Sequence, residues 1–209
     1  MITRSRSSST RGPQLENLEI IKSNFRSLKS TESRVSNKPA AVLVALFEGP
    51  DGKPHVWLTQ RSKDLPTHPG EVCLPGGKRD LLDPSDEFTA KREAHEEIGL
   101  DPAMVTVLGQ LPPLLSECLL SVTPVVATIP ATFTPSPNPG EVAMVFSAPL
   151  NLFLEPPAGT HSTHLITWQD KPYRLHSFQY KGFQIWGLTA TILIEVAKRG
   201  YGRPTTFEE

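Results

Sequence analysis

Residues 92–100 read REAHEEIGL. Wound as an α-helix at roughly 100° per residue, they set three carboxylates on one arc. With Glu93 taken as zero, Glu96 falls roughly 60° to one side and Glu97 roughly 40° to the other. Ala90, Ala94 and Ile98 form the adjoining apolar stripe, which can pack on a sheet and hold the helix rigid. Like charges three and four residues apart cost a helix about 0.2–0.5 kcal/mol per pair, so the pattern calls for a compensating charge. Hard divalent cations supply one, because carboxylate oxygens, water and substrate phosphate are the ordinary surroundings of Mg²⁺. Arg92, on the flank of the arc, can donate paired hydrogen bonds to a carboxylate and orient it. Taken alone, a solvated acidic helix face with Arg92 in a surface ion pair explains the same residues.

The stretch LPGG at 74–77 shifts that balance. Adjacent glycines let the backbone approach a ligand closely, and a carbonyl near Gly77 can complete a cation shell. Between the two motifs stand helix-start signals. Asp83 can cap, Pro84 suits the first helical position, and Asp86 and Glu87 favour the positive helix end, with Gly99 after the last turn. These predict a helix over 84–98.

Working outward, apolar residues at Leu15, Leu18, Ile21, Phe25 and Leu28 have the spacing of an amphipathic helix, followed by a polar linker at 30–39. Segments rich in β-branched and aromatic residues predict strands at 41–48, 55–61, 104–110, 122–129, 142–146, 165–168 and 173–180. Gly and Pro clusters separate them, notably GPDGKP at 49–54 and TPSPNPG at 134–140. A last helix is predicted over 188–199, with Lys198 and Arg199 at its negative end and Gly200 beyond. The whole reads as an α/β (α+β) domain, a mixed sheet with helices against it, over 39–209, preceded by a tail and amphipathic helix at 1–38.

The chain has 209 residues, 21 Lys+Arg against 22 Asp+Glu and a net charge of −1, so no overall basic field collects a nucleic acid polymer or an anionic membrane. The apolar run AAVLVALF at 40–47 is far short of the ~20 residues that span a bilayer. Two cysteines, Cys73 and Cys118, provide neither a thiolate zinc set nor a disulfide framework, and read as reduced intracellular thiols. The start, MITRSRSSSTRGPQL, is rich in Arg and Ser and has no acid before Glu16. It suits an organelle transit peptide and a plain disordered tail equally. The C-terminal Phe207-Glu208-Glu209 is not a peroxisomal signal. A mitochondrion or plastid is one expectation, the cytoplasm the other.

Residues 77–100 resemble the Nudix box: a glycine, a spacer, then Arg-Glu-x-x-Glu-Glu-x-Gly and an aliphatic residue. The spacing from Gly77 to Arg92 is one residue longer than the general pattern. Pro84 stands where an early glutamate would align, with Asp83 or Asp86 as stand-ins. Residues 58–77, LTQRSKDLPTHPGEVCLPGG, are similar to the signature of the Nudix branch that hydrolyses coenzyme A, matching at Leu58, Thr59, Arg61, Ser62, Gly70, Val72, Pro75, Gly76 and Gly77. Pro66 replaces a basic residue of that signature and Leu74 an aromatic one. Asn138 to Val142 and Trp186 to Ala190 look like later landmarks of the branch, especially its plant members.

The resemblance implies a Nudix α/β/α sandwich and a hydrolase using Mg²⁺ or Mn²⁺. Metal ligands would be Glu93, Glu96, Glu97 and Gly77, with Glu96, Glu97 and Arg92 as catalytic groups; Glu141, on the loop after the proline-rich stretch, is a second candidate base and reads equally as a surface acid at a strand start. Arg61, Ser62, Lys78 and Arg79 would bind substrate, the basic residues gripping the ribose 3′-phosphate of coenzyme A or else serving as solubilising surface charges; Lys63 and His95 read as exposed surface. Trp168, Tyr173 and Trp186 can stack on an adenine, although aromatic strand residues are more often core. The implied reaction splits coenzyme A, or its acyl derivatives, into 4′-phosphopantetheine and adenosine 3′,5′-bisphosphate, in a monomer or homodimer. Competing readings are a Nudix diphosphatase for ADP-ribose, NADH or oxidised nucleoside triphosphates, and a non-catalytic nucleotide sensor.

Overall fold

The structure is a computed structural model that describes residues 17–25 and 34–208. The N-terminal tail, and Leu15 and Leu28 of the first amphipathic pattern, lie outside the described residues. The strand β1 (Pro39–Glu48) organises everything else, because its side chains are buried on both faces. It runs parallel to β7 (Ser121–Thr128), with Val44 opposite Val126, and antiparallel to β2 (Pro54–Arg61), with Leu46 opposite Val56. Its first half also pairs with β4 (Gly76–Lys78), Ala41 facing Gly77. β2 carries β3 (Val72–Cys73) and β8 (Val142–Pro149), while β5 (Thr106–Gln110) and β6 (Leu114–Leu115) flank β7.

Period-two alternation along β1 divides the core. Ala41, Leu43, Ala45 and Phe47 meet Ala90, Ala94 and Ile98 of α2 (Asp86–Ile98), the stripe expected from the sequence. Val44 and Leu46 face the opposite layer, where α1 (Leu18–Phe25) supplies Ile21 and Phe25, and α3 (Gly187–Tyr201) supplies Ile192, Leu193 and Val196. The expected sandwich of helices around a mixed sheet is therefore present. The C-terminal strands β9 (His161–Trp168), β10 (Lys171–Tyr180) and β11 (Phe183–Trp186) form a separate three-stranded antiparallel sheet. Among the described residues, no helix is long and apolar enough to cross a membrane.

Three local expectations are corrected. The cap of α2 is Ser85, whose side chain accepts from the Phe88 N–H, so the helix begins at Asp86 and Asp83 is released for another task. Residues Pro102–Met104 form a 3₁₀ turn capped by Asp101, and the following strand starts at Thr106. α3 runs on through Gly200, whose missing side chain leaves room for Ile21, and ends with left-handed Gly202. The helix expected over 188–199 therefore extends two residues further, because close packing rather than chain reversal explains Gly200.

Candidate active site

Gly76 and Gly77 are where the sheet comes closest to the acid helix. A Cβ on Gly76 would stand 2.4 Å from the Ala41 carbonyl oxygen and 2.6 Å from Val42 Cα, both backbone atoms that cannot move aside. A Cβ on Gly77 would instead stand 2.5 Å from Glu93 Cδ and Oε1. The glycine pair thus lets β4 lie on β1 while the Glu93 carboxylate rests against the chain at Gly77.

Burial grades the three acids by their angle to the apolar stripe. Glu97, on the side nearer Ala90 and Ala94, is 4% exposed, and its Oε2 accepts the Gly76 N–H at 3.2 Å. Burial pushes its carboxyl up to about 8, with neighbouring Glu93 and Glu141 adding to the rise and the Gly76 N–H and Arg61 opposing it. Glu93 is half-buried and also raised, again chiefly by burial, with Arg92 pulling the other way. Glu96, farthest from the stripe, is exposed.

Arg92 gathers the acids from the flank. Its Nη1 donates to Glu96 at 2.9 Å and its Nη2 to Glu93 at 3.0 Å and to the Lys78 carbonyl at 3.2 Å. Its anchor is Asp83, which accepts from Nε at 3.2 Å and Nη2 at 3.0 Å. Asp83 also accepts from Thr89 Oγ1 and the Asp80 N–H. The Arg92 hydrogen bonds are the largest influence holding the Asp83 carboxyl down at about 2. Asp86 takes a different partner set, Arg79 Nη1 at 3.2 Å and Thr123 Oγ1 at 2.9 Å.

Glu141 arrives from another part of the chain. The proline-rich stretch straps across the end of α2: Ser136 and Asn138 donate their N–H groups to the Ile98 and Glu97 carbonyls, each at 2.9 Å. These carbonyls have no partner within the helix, so the strap satisfies them. The Ser62 N–H then donates to the Glu141 carbonyl at 2.8 Å, which ties the end of β2 to the same loop. The result brings Glu141 within electrostatic reach of Glu93 and Glu97.

A cleft of about 360 Å³ opens beside this cluster. Gly76, Gly77, Lys78 and Arg61 border it, and Val42, Leu74, Leu188 and Ile192 give it apolar walls. The register of β2 slips between Gln60 and Arg61, a bulge beside the cleft that Arg61 lines. The structure thus joins Arg61 and Lys78 to the cleft, whereas Ser62 is buried with its hydroxyl oxygen accepting from the Asp64 N–H, and the Arg79 guanidinium is held by Asp86 and the Asp83 carbonyl. Lys63 and His95 are exposed as expected. Of the three aromatic residues considered, Trp186 lines the cleft, while the Tyr173 hydroxyl meets Thr191 Oγ1 at 2.7 Å and Trp168 ends β9.

Sequence reasoning missed the anchoring role of Asp83, since nothing in a nine-residue separation across a loop signals a paired hydrogen bond. The departure from the usual spacing before Arg92 was the one available hint.

Among the described residues, no three His, Cys, Asp or Glu side chains stand ready in a ligand geometry. The donor chemistry nevertheless fits a hard cation: carboxylate oxygens only, one of them half-buried against Gly77 and one deeply buried without a full counter-charge.

A mixed sheet sandwiched by helices, with a glycine-rich strand laid against a helix bearing Arg-Glu-x-x-Glu-Glu, defines a Nudix domain. The model of the NUDIX domain matches residues 37–169, and the chain belongs to this family. It is 48% identical over 188 residues to "Nudix hydrolase 15, mitochondrial" of Arabidopsis thaliana, covering 87% of this chain and 65% of that protein. Against "Nudix hydrolase 22, chloroplastic" of the same plant it is 47% identical, covering 84% of this chain and 60% of that one. The chain therefore spans less than two thirds of either plant relative's length. It is 39% identical to "Peroxisomal coenzyme A diphosphatase NUDT7" of Mus musculus, covering 79% of this chain and 71% of the relative. Among solved structures it is similar to RenU, a Nudix hydrolase from M. smegmatis, with 26% identity, 55% of this chain and 71% of that chain covered, and a TM-score of 0.48.

Proposed function

We propose that the chain hydrolyses the diphosphate bond of coenzyme A and its acyl derivatives, releasing 4′-phosphopantetheine, or its acyl form, and adenosine 3′,5′-bisphosphate. The carrying observation is the apolar-walled cleft that Gly76 and Gly77 border. A substrate with a charged diphosphate and a long, weakly polar arm matches that division. The name of the mouse relative, a coenzyme A diphosphatase, agrees. ADP-ribose or a nucleoside triphosphate has no such arm and leaves those walls wet.

Glu93, Glu96 and Glu97, with the Gly77 carbonyl, would hold Mg²⁺ or Mn²⁺, which when bound supplies the positive charge that neutralises the diphosphate and acidifies water. Arg92 holds Glu93 and Glu96 in place through its Asp83 anchor. Glu141, exposed and leashed to β2 through Ser62, serves as proton acceptor for the attacking water. Arg61 and Lys78 receive the ribose 3′-phosphate of coenzyme A at the cleft, a task for which Arg79 is less free. Tail and helix at 1–38 precede a hydrolase domain at 39–209 in this reading. A mitochondrial or plastid location is favoured by the names of the plant relatives.

The test is the purified full chain with coenzyme A and Mg²⁺ or Mn²⁺, products identified by mass. Release of both half-molecules only with cation supports the reading. Faster cleavage of ADP-ribose or NADH than of coenzyme A would overturn it.

A further inference from the structure

Away from the acid helix, the cleft carries a second group of reactive side chains. Cys118 Sγ lies 3.7 Å from His68 Nε2, and His68 Nδ1 lies 3.1 Å from Glu71 Oε2. All three residues line the cleft, as do the apolar Leu188 and Ile192. They come from two loops 50 residues apart in the chain, so proximity here is a product of the fold. A carboxylate on Nδ1 selects the tautomer with its proton there, which leaves Nε2 as an acceptor facing the thiol. His68 has φ 54°, and Leu119, directly after Cys118, has φ 59°. Left-handed backbone is uncommon for a leucine, and it occurs where the turn brings Cys118 toward His68.

We propose that Cys118, His68 and Glu71 form a nucleophilic site that accepts the acyl group of a thioester whose aliphatic arm occupies the cleft. His68 Nε2 takes the proton of Cys118. The Cys118 sulfur bonds to the thioester carbonyl carbon, the original C–S bond breaks, and the departing thiolate receives the proton from His68. Water then attacks the acylated Cys118 with His68 as base, releasing a carboxylic acid and restoring the thiol. The sum is thioester plus water giving acid plus thiol. Cys118 and His68 are the catalytic residues and Glu71 positions the imidazole. None of the three belongs to the diphosphate machinery, so the inference stands apart from that reading. Cys73 is an internal control: burial, chiefly, pushes its thiol up to about 11.

The probe is the acetyl thioester of N-acetylcysteamine, which has no diphosphate, incubated with the full chain at neutral pH. Intact-mass and peptide analysis should find one acetyl group on Cys118 and none on Cys73, with acetate accumulating. Cys118→Ser abolishes the adduct. His68→Ala slows acetylation about a hundredfold, and added imidazole restores part of the rate. Glu71→Ala slows it, and Glu71→Asp retains it. Equal acetylation rates in the wild type and His68→Ala would make Cys118 an ordinary surface thiol and overturn the proposal, as would the absence of any adduct or acetate. Coenzyme A cleavage measured on the same samples reports on the diphosphate reading separately.

Discussion

Asp83 and Arg92 are joined by two hydrogen bonds, Nε to Oδ1 at 3.2 Å and Nη2 to Oδ2 at 3.0 Å, and Asp83 is almost fully buried while doing so. This pair holds the guanidinium that in turn holds Glu93 and Glu96.

Asp83→Ala should therefore destabilise the protein by about 3 kcal/mol, the scale for removing one partner of a buried pair, and lower turnover through Arg92. Urea unfolding measures the first effect. A loss of stability below about 0.5 kcal/mol would place Arg92 under some other control.

The same pair fixes a pH dependence. The Asp83 carboxyl lies at about 2 in the folded chain, below its ordinary value near 3.9, so its pairing contributes stability that is fully present above that ordinary value. The contribution is lost as pH falls through about 2. The stability gap between wild type and Asp83→Asn should be wide at neutral pH and close in that acid window. A gap constant down to pH 2 would count against the assignment.

The two glycines should part company. Gly76→Ala drives a Cβ into the Ala41 and Val42 backbone and should cost about 2 kcal/mol or more. Gly77→Ala meets the Glu93 side chain first, a carboxylate that can swing away as backbone atoms cannot, so the fold should survive while turnover falls. Thermal unfolding beside kinetics separates the two, and equal melting losses would refute the distinction.

Glu97→Gln is nearly isosteric and keeps an oxygen for the Gly76 N–H, so the protein should stay folded. Turnover should nevertheless drop by about 100-fold or more. Divalent cation should raise the melting temperature of the wild type and not of the variant. Identical cation-induced shifts would remove Glu97 from the proposed ligand set.

Arg61→Ala should raise KM for coenzyme A by about tenfold, the size of one charged hydrogen bond, and leave dephospho-coenzyme A nearly unaffected. Equal losses on both substrates would show that Arg61 does not read the 3′-phosphate.

Much of the fold is visible in one-dimensional patterns, because strand and helix periods are local. The stripe of Ala90, Ala94 and Ile98 faces the sheet as its spacing requires, and the apolar run at 40–47 became the central strand. Boundaries were less legible where a side chain had two possible uses. Asp83 and Ser85 both suit a cap, and only the position of Arg92 assigns the first to the guanidinium and the second to the helix. Gly200 satisfies a helix-end rule, yet it is the contact with Ile21 that explains it.

By itself, the order of residues determined that three acids share a helix arc beside a glycine pair, since 3.6-residue geometry allows nothing else once that helix forms. Which acid is buried, which is free, and what meets them were decided by tertiary structure. Glu97 is pressed against the Gly76 strand, Glu141 is drawn in by a strap over the helix end, and His68 meets Cys118 across 50 residues of chain. Burial and long-range contact depend on how layers pack, and that information is spread over the whole sequence rather than written at any one position.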